Sequence, residues 1–201
     1  MNIVCLDLEG VLVPEIWIAF AKDVGIDEFR RTTRDEPDYD KLMRFRIELL
    51  EEHRLKLHDI QKTIENIPPL DGALEFANAV REKTQLLILS DTYEEFAKPL
   101  MAKLNYPTLF CNNLIAADDG SIIGYKLRQK DGKRRAVAAL KSLNVRVFAA
   151  GDSFNDLTMI READAGCLFR APASIREQEA KNGVPCVDAY EELLERISVF
   201  L

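Results

Sequence analysis

Apolar residues along this chain come in two rhythms. Short runs almost free of polar residues lie at residues 2–8, 85–90, 145–150 and 165–169, with a weaker one at 184–187. Such runs are too short for helices and fit strands buried on both faces. Between them, apolar positions recur every three or four residues. Residues 71–83 open with Asp71 and carry Leu74, Ala77 and Val80 at helical spacing, and 93–104, 132–143, 155–163 and 189–200 repeat the pattern. Strands alternating with helices predict an α/β fold, a Rossmann-like parallel sheet with helices on both faces. Ligands of such sheets bind beyond the carboxyl ends of the strands. The acids and hydroxyls of this chain collect there.

Two segments interrupt the alternation. Residues 113–127 read as a β-hairpin turning at Asp119-Gly120-Ser121. Residues 14–70 hold only helical patterns, too many for a simple crossover, and predict a small helical cap inserted after the first strand. The chain is then one unit, with a core of 1–13 and 71–201 and a cap of 14–70. Pro99, inside the 93–104 pattern, predicts a kink or a split in that helix.

Composition narrows the function. With 201 residues, 47% of them hydrophobic, the chain can bury one sizeable core. A net charge of -7 speaks against nucleic-acid binding, so any phosphate must be held by a few local charges. Asp7 comes too early for a signal peptide, and no apolar run approaches the roughly 20 residues that span a bilayer. The cysteines (Cys5, Cys111, Cys167, Cys186) lack the paired spacing of zinc or redox sites. These features predict a cytoplasmic protein with no membrane partner; none of them speaks to oligomeric state.

Four groups carry candidate chemistry. Asp7-Leu8-Glu9-Gly10-Val11 follows the first strand. An ionised Asp7 needs no base to attack phosphorus, and Glu9 can reach the same cavity as an acid and base. Ser90, after the apolar run 85–90, offers a hydroxyl and following backbone N–H groups to phosphate oxygens, or a plain helix cap. Lys130-Asp131-Gly132-Lys133-Arg134-Arg135 puts cations at a helix start, where the macrodipole disfavours them. One lysine turned inward would neutralise a phosphoryl transition state; spacing alone does not separate Lys133 from Lys130. Gly151-Asp152-Ser153-Phe154-Asn155-Asp156 closes a strand with oxygen donors that suit magnesium. Taken alone, the first two groups fit capped turns and the third a solvated basic face, while the fourth holds more polar residues than a cap explains. Capping does not account for a nucleophile, a phosphate donor, a cation and a metal ligand in that order.

In this order the four groups resemble the motifs of the haloacid dehalogenase superfamily of phosphatases, over the whole chain. Glu9 stands where that family normally has a second aspartate. Leu6-Asp7-Leu8-Glu9-Gly10-Val11-Leu12-Val13-Pro14-Glu15 resembles the phosphoserine phosphatase/homoserine phosphotransferase group. The resemblance implies Asp7 as nucleophile and Glu9 as general acid and base. It implies Mg2+ held by Asp7, Asp152 and the backbone carbonyl of Glu9, and phosphate held by Ser90, Asp91, Lys133 and Asn155. Phosphoserine is the implied substrate and homoserine an implied acceptor.

The cap has its own signal. Arg46 lies four residues after Leu42 and three before Leu49, so it shares their apolar stripe. A guanidinium facing inward wants a planar anion, from a substrate carboxylate or from the protein. Glu15, at the expected start of the first cap helix, either binds a substrate ammonium or answers the helix dipole. Both match substrate-binding positions of phosphoserine phosphatases. His53 and His58 read as surface residues. Three rivals remain at this stage: a phosphatase for another small phosphometabolite, a phospho-aspartate signalling receiver, and an inactive binding relative.

Overall fold

The computed structural model describes residues 1–36 and 38–201. One sheet contains β1 (Asn2–Leu6), β2 (Gln85–Tyr93), β3 (Thr108–Ala116), β4 (Ile122–Lys126), β5 (Arg146–Gly151), β6 (Ala165–Phe169) and β7 (Cys186–Val187). Their spatial order is β4-β3-β2-β1-β5-β6-β7. Only the β3–β4 pair is antiparallel. The chain leaves β1 toward β2 on one side and returns to β5 on the other. That reversal puts the crevice at the carboxyl end of β1.

The central strands are mostly apolar because both faces are covered. Ile3 and Cys5 pack with Val137, Leu157 and Ile160. These come from α6 (Gly132–Ser142) and α7 (Leu157–Glu162). Val4 and Leu6 point the other way, toward Phe76 and Val80 of α4 (Ala73–Lys83) and Leu193 and Ile197 of α9 (Tyr190–Phe200). Burying each such side chain is worth roughly 1.5–3 kcal/mol.

Between β1 and α4 the insert carries α1 (Ile16–Val24), α2 (Tyr39–Glu52) and α3 (Leu57–Asn66). Trp17, Phe20 and Phe29 cluster inside this insert, and the Trp17 ring also meets that of Phe96, outside the insert, edge to face. The hairpin touches the insert from below: Leu57 N donates to Gly120 O (3.0 Å), and Lys56 Nζ lies 2.8 Å from Asp119 Oδ2.

Several expectations need adjusting. β3 starts five residues before the expected hairpin; its first half pairs in parallel with β2 and its second half with β4. The mixed polarity of 108–112 hid it. Pro99 does not split α5 (Glu94–Lys103), which runs through it. The carbonyl that a proline frees four residues earlier belongs to Glu95, and Gln61 Nε2 of α3 donates to it at 2.9 Å. The expected strand at 184–187 shortens to β7. The helix α8 (Ala173–Ala180) carries no apolar stripe; of its residues only Ile175 and Glu179 are buried.

Candidate active site

The turn after β1 is tight. Asp7 N still donates to Ala150 O (3.0 Å), and Leu12 N and Val13 N both fold back onto Leu8 O. Tyr190 Oη donates to Val11 O at 2.6 Å, pinning the loop to α9. Gly10 takes φ +77°, and a Cβ there would stand 2.6 Å from the Asp152 carboxylate. The loop therefore needs a glycine at that point. Asp7 Oδ1 accepts from Leu8 N at 2.7 Å and lies 3.0 Å from Lys133 Nζ.

Lys133 resolves the choice left by spacing. It is buried while Lys130 is exposed. Its ammonium contacts Asp156 Oδ1 (2.7 Å) as well as Asp7, with Asp91 Oδ2 at 3.8 Å. Burial opposes its charge, but Asp156, Asp7 and Asp91 outweigh that and hold its pKa well above the usual lysine value. Asp156 is fully buried. Its Oδ2 accepts from Asp152 N, Ser153 N and Ser153 Oγ at 2.9–3.0 Å. A Cβ at Gly151 would fall 2.2 Å from the Asp156 carboxyl carbon, so β5 must end in glycine for this acid to turn under it. Asp156 thus orients both the Asp152 turn and Lys133, a role that the sequence left unassigned.

Ser90, Asp91, Thr92 and Tyr93 all line the same cavity. A regular strand would send alternate residues to opposite faces. The β2–β3 register shifts between Leu89 and Tyr93, and such a bulge re-aims side chains. Thr92 N donates to Ser90 Oγ at 3.2 Å, which leaves the serine proton free for a ligand.

The insert supplies the opposite wall. Arg46 is 6% exposed; its guanidinium lies over Trp17, 4.5 Å from the ring centroid, and Nη2 donates to Arg31 O at 2.7 Å. Burial lowers its pKa from the ordinary arginine value. Tyr39 Oη meets Tyr93 Oη at 2.6 Å across the cleft. Arg34 Nη2 reaches Asp152 Oδ2 at 3.5 Å. Glu9 Oε2 accepts from Ile16 N at the start of α1 (2.9 Å). Burial and the nearby Glu15 carboxylate raise the Glu9 pKa to about 7.

The positions singled out from sequence (Asp7, Glu9, Glu15, Arg46, Ser90, Asp91, Lys133, Asp152 and Asn155) converge on this one cavity of about 100 Å³. A space so small suits a metabolite rather than a polymer segment. Trp17, Arg34, Tyr39, Thr92 and Tyr93 also line it and went unnoticed in the sequence. They belong to stripes and turns whose composition is ordinary for core or loop. His53 and His58 are exposed, as expected.

Carboxylates of Asp7, Asp152 and Asp156 place oxygens within 4.8 Å of one another. Asp156 is already committed to Lys133 and backbone donors. Lys133 and Arg34 offset only part of the charge on Asp7 and Asp152: burial and the neighbouring acids still raise Asp7 well above the usual range and Asp152 to about 7. Hard oxygen donors with surplus negative charge fit a divalent cation.

Comparison with known proteins shows the family and the fold. The profile of the haloacid dehalogenase-like hydrolases matches residues 1–164. Phosphoserine phosphatase ThrH of Pseudomonas aeruginosa is 55% identical over 193 residues, spanning 96% of this chain and 93% of its own. A phosphoserine phosphatase of Pseudomonas syringae is 54% identical over 193 residues, spanning 96% of this chain and 81% of its own. A substrate-bound phosphoserine phosphatase structure superposes with TM-score 0.78 at 20% identity, covering 97% of each chain, which establishes the shared fold. The chain belongs to the haloacid dehalogenase-like hydrolase family.

Proposed function

We propose that this enzyme hydrolyses phosphoserine through a phospho-aspartate on Asp7, and that it also passes the phosphoryl group to homoserine. One observation carries the reading. A single small cavity is lined both by a fixed carboxylate and ammonium, Asp7 and Lys133, and by an acid and a guanidinium of the insert, Glu15 and Arg46. The first pair suits a phosphoryl group and the second the two charges of an amino acid. Two relatives above 50% identity that carry the phosphoserine phosphatase name support it.

A carboxylate oxygen of Asp7 attacks phosphorus in line with the ester oxygen, which departs with the bonding electrons. Glu9, whose pKa of about 7 keeps it partly protonated near neutrality, gives that oxygen its proton. Lys133 and the Ser90 hydroxyl stabilise the equatorial oxygens, with Asp91 and Asn155 completing the phosphate cradle. Ionised Glu9 then takes a proton from water or from the homoserine hydroxyl, and the oxygen so activated attacks the acyl phosphate and frees Asp7. Residues 14–70 act as the cap that governs which acceptor enters. Mg2+ held by Asp7, Asp152 and the Glu9 backbone carbonyl would supply positive charge beside the phosphoryl oxygens. We place the reaction in the cytoplasm; among the described residues no helix is long and apolar enough to cross a membrane.

The test follows labelled phosphate. Phosphoserine carrying labelled phosphorus is incubated with enzyme and Mg2+, with and without homoserine. Label should appear in free phosphate and, with homoserine present, in phosphohomoserine. No label on homoserine removes the transfer, and a simple aryl phosphate turned over as efficiently as phosphoserine removes the substrate assignment.

A further inference from the structure

Among the described residues, two buried side-chain polar atoms have no hydrogen-bond partner: Arg46 Nε and Thr92 Oγ1. Both residues line the active-site cavity, and both are nearly inaccessible, at 6% and 5% exposure. A buried hydroxyl without a partner destabilises a protein, and valine would fill the same volume without that cost. The backbone of Thr92 has work of its own, since its N–H holds Ser90 Oγ. That bond makes no use of the side-chain oxygen. The fold gives this hydroxyl no structural role.

Its position identifies the group it serves. The phosphoryl end already has Lys133 and the free proton of Ser90. Thr92 lies two residues further along the bulged end of β2, directly before Tyr93, whose hydroxyl is bonded to Tyr39 of the insert. The insert also carries Arg46, which spends Nη2 on Arg31 O and rests Nη1 3.8 Å from the Met43 sulfur, leaving Nε open. A carboxylate has two oxygens and takes donors on both.

Resting on the phosphoserine reading above, we infer that Thr92 is a specificity-determining residue whose hydroxyl donates to one oxygen of the substrate carboxylate while Arg46 Nε donates to the other. A single side-chain hydroxyl on the core wall then joins the cap arginine in selecting α-carboxylate-bearing esters over plain phosphate esters.

The test compares wild type, Thr92→Val, Thr92→Ser and Thr92→Ala, taking kcat/KM for phosphoserine and for phenyl phosphate, with thermal melts alongside. Wild type must first prefer phosphoserine; if it does not, the proposed function fails and this inference falls with it. Given that preference, Thr92→Val should lower the phosphoserine-to-phenyl-phosphate ratio by roughly tenfold to a hundredfold, chiefly through KM. Thr92→Ser should recover most of it. The melting temperature of Thr92→Val should stay level or rise, because no protein partner is lost. Should valine fail to fold, Thr92→Ala carries the same ratio test. An unchanged ratio, an equal loss on both esters, or no recovery with serine overturns the assignment.

Discussion

The two walls of the cavity are built on different terms. On the core side Asp7, Lys133 and Asp156 form a chain of contacts at 2.7–3.0 Å, and Asp156 holds the Asp152 turn through three further donors. On the insert side the groups are loosely held. Arg46 keeps one oxygen partner for its fork, Arg34 reaches Asp152 only at 3.5 Å, and Glu15 makes no capping bond to α1. Charge that must act on a transition state gains from being fixed in advance. Donors meant for a ligand must stay open until it arrives. In the proposed reaction the fixed charges of the core wall therefore serve the chemistry common to any ester, while the open groups, Arg46 on the insert and Thr92 at the end of β2, serve the choice of ester.

Breaking the core wall should produce the largest effect. Asp7→Asn removes the proposed nucleophile and should reduce phosphate release from phosphoserine and from phenyl phosphate alike, by about 10⁴-fold or more, with a cooperative melt retained. Parallel steady-state assays and thermal melts check it. Turnover of either ester near the wild-type rate would remove Asp7 from its role.

Breaking the insert wall should be selective. Arg46→Ala should lower kcat/KM for phosphoserine by roughly tenfold to a hundredfold, the value of hydrogen bonds to a charged group. Phenyl phosphate should suffer far less. Equal losses on both esters would show that Arg46 serves the fold or the phosphate, and the contrast between the walls would disappear.

The same contrast governs what the sequence reveals. The chemical wall is legible because its groups come in a fixed order, three at strand ends and a cation cluster at a helix start where the macrodipole disfavours it, although only burial separates Lys133 from Lys130. The role of Asp156 is not, since its value lies in a carboxyl tucked beneath Gly151, and nothing in the residue string shows that fold-back. Tyr39, Thr92 and Tyr93 stay hidden for another reason. They reach the cavity through a β-bulge and a helix start, and bulges leave little trace in hydrophobic pattern. Arg46 is the exception on the insert side, because a charge on an apolar stripe can be seen by spacing alone. The early start of β3 and the helix α8 are missed because their burial is shallow or polar: Glu179 of α8 is buried by pairing with Arg161 at 2.6 Å.

Acid crowding on the core wall makes a pH-dependent prediction. Glu9 and Asp152 titrate near 7 when folded, against about 4 for such groups in an unfolded chain. Across that window the folded chain holds extra protons, so its stability must fall as pH rises from about 4 to 7. The slope is at most about 1.4 kcal/mol per pH unit for each group. In chelator, the melting temperature should decline from pH 5 to 7.5. With excess Mg2+ the decline should flatten or reverse, because the cation binds the ionised carboxylates of the folded state. A chelated enzyme whose melting temperature climbs over this range would contradict the crowding.

The smallest effect sharpens the comparison from outside the cavity. Gln61 of α3 ties the insert to the core by donating to Glu95 O, the carbonyl that Pro99 leaves without its helical partner. Gln61→Ala orphans that carbonyl and should cost about 1 kcal/mol of stability, the net value of one such bond. It touches neither wall, so the ratio of phosphoserine to phenyl phosphate turnover should stay at the wild-type value. Denaturant unfolding and the two-substrate assay measure both. If the ratio moves although the loss of stability is small, the seating of the insert on α5 helps to set Arg46 in place. Selectivity would then depend on how the insert sits on the core as well as on the open groups it presents.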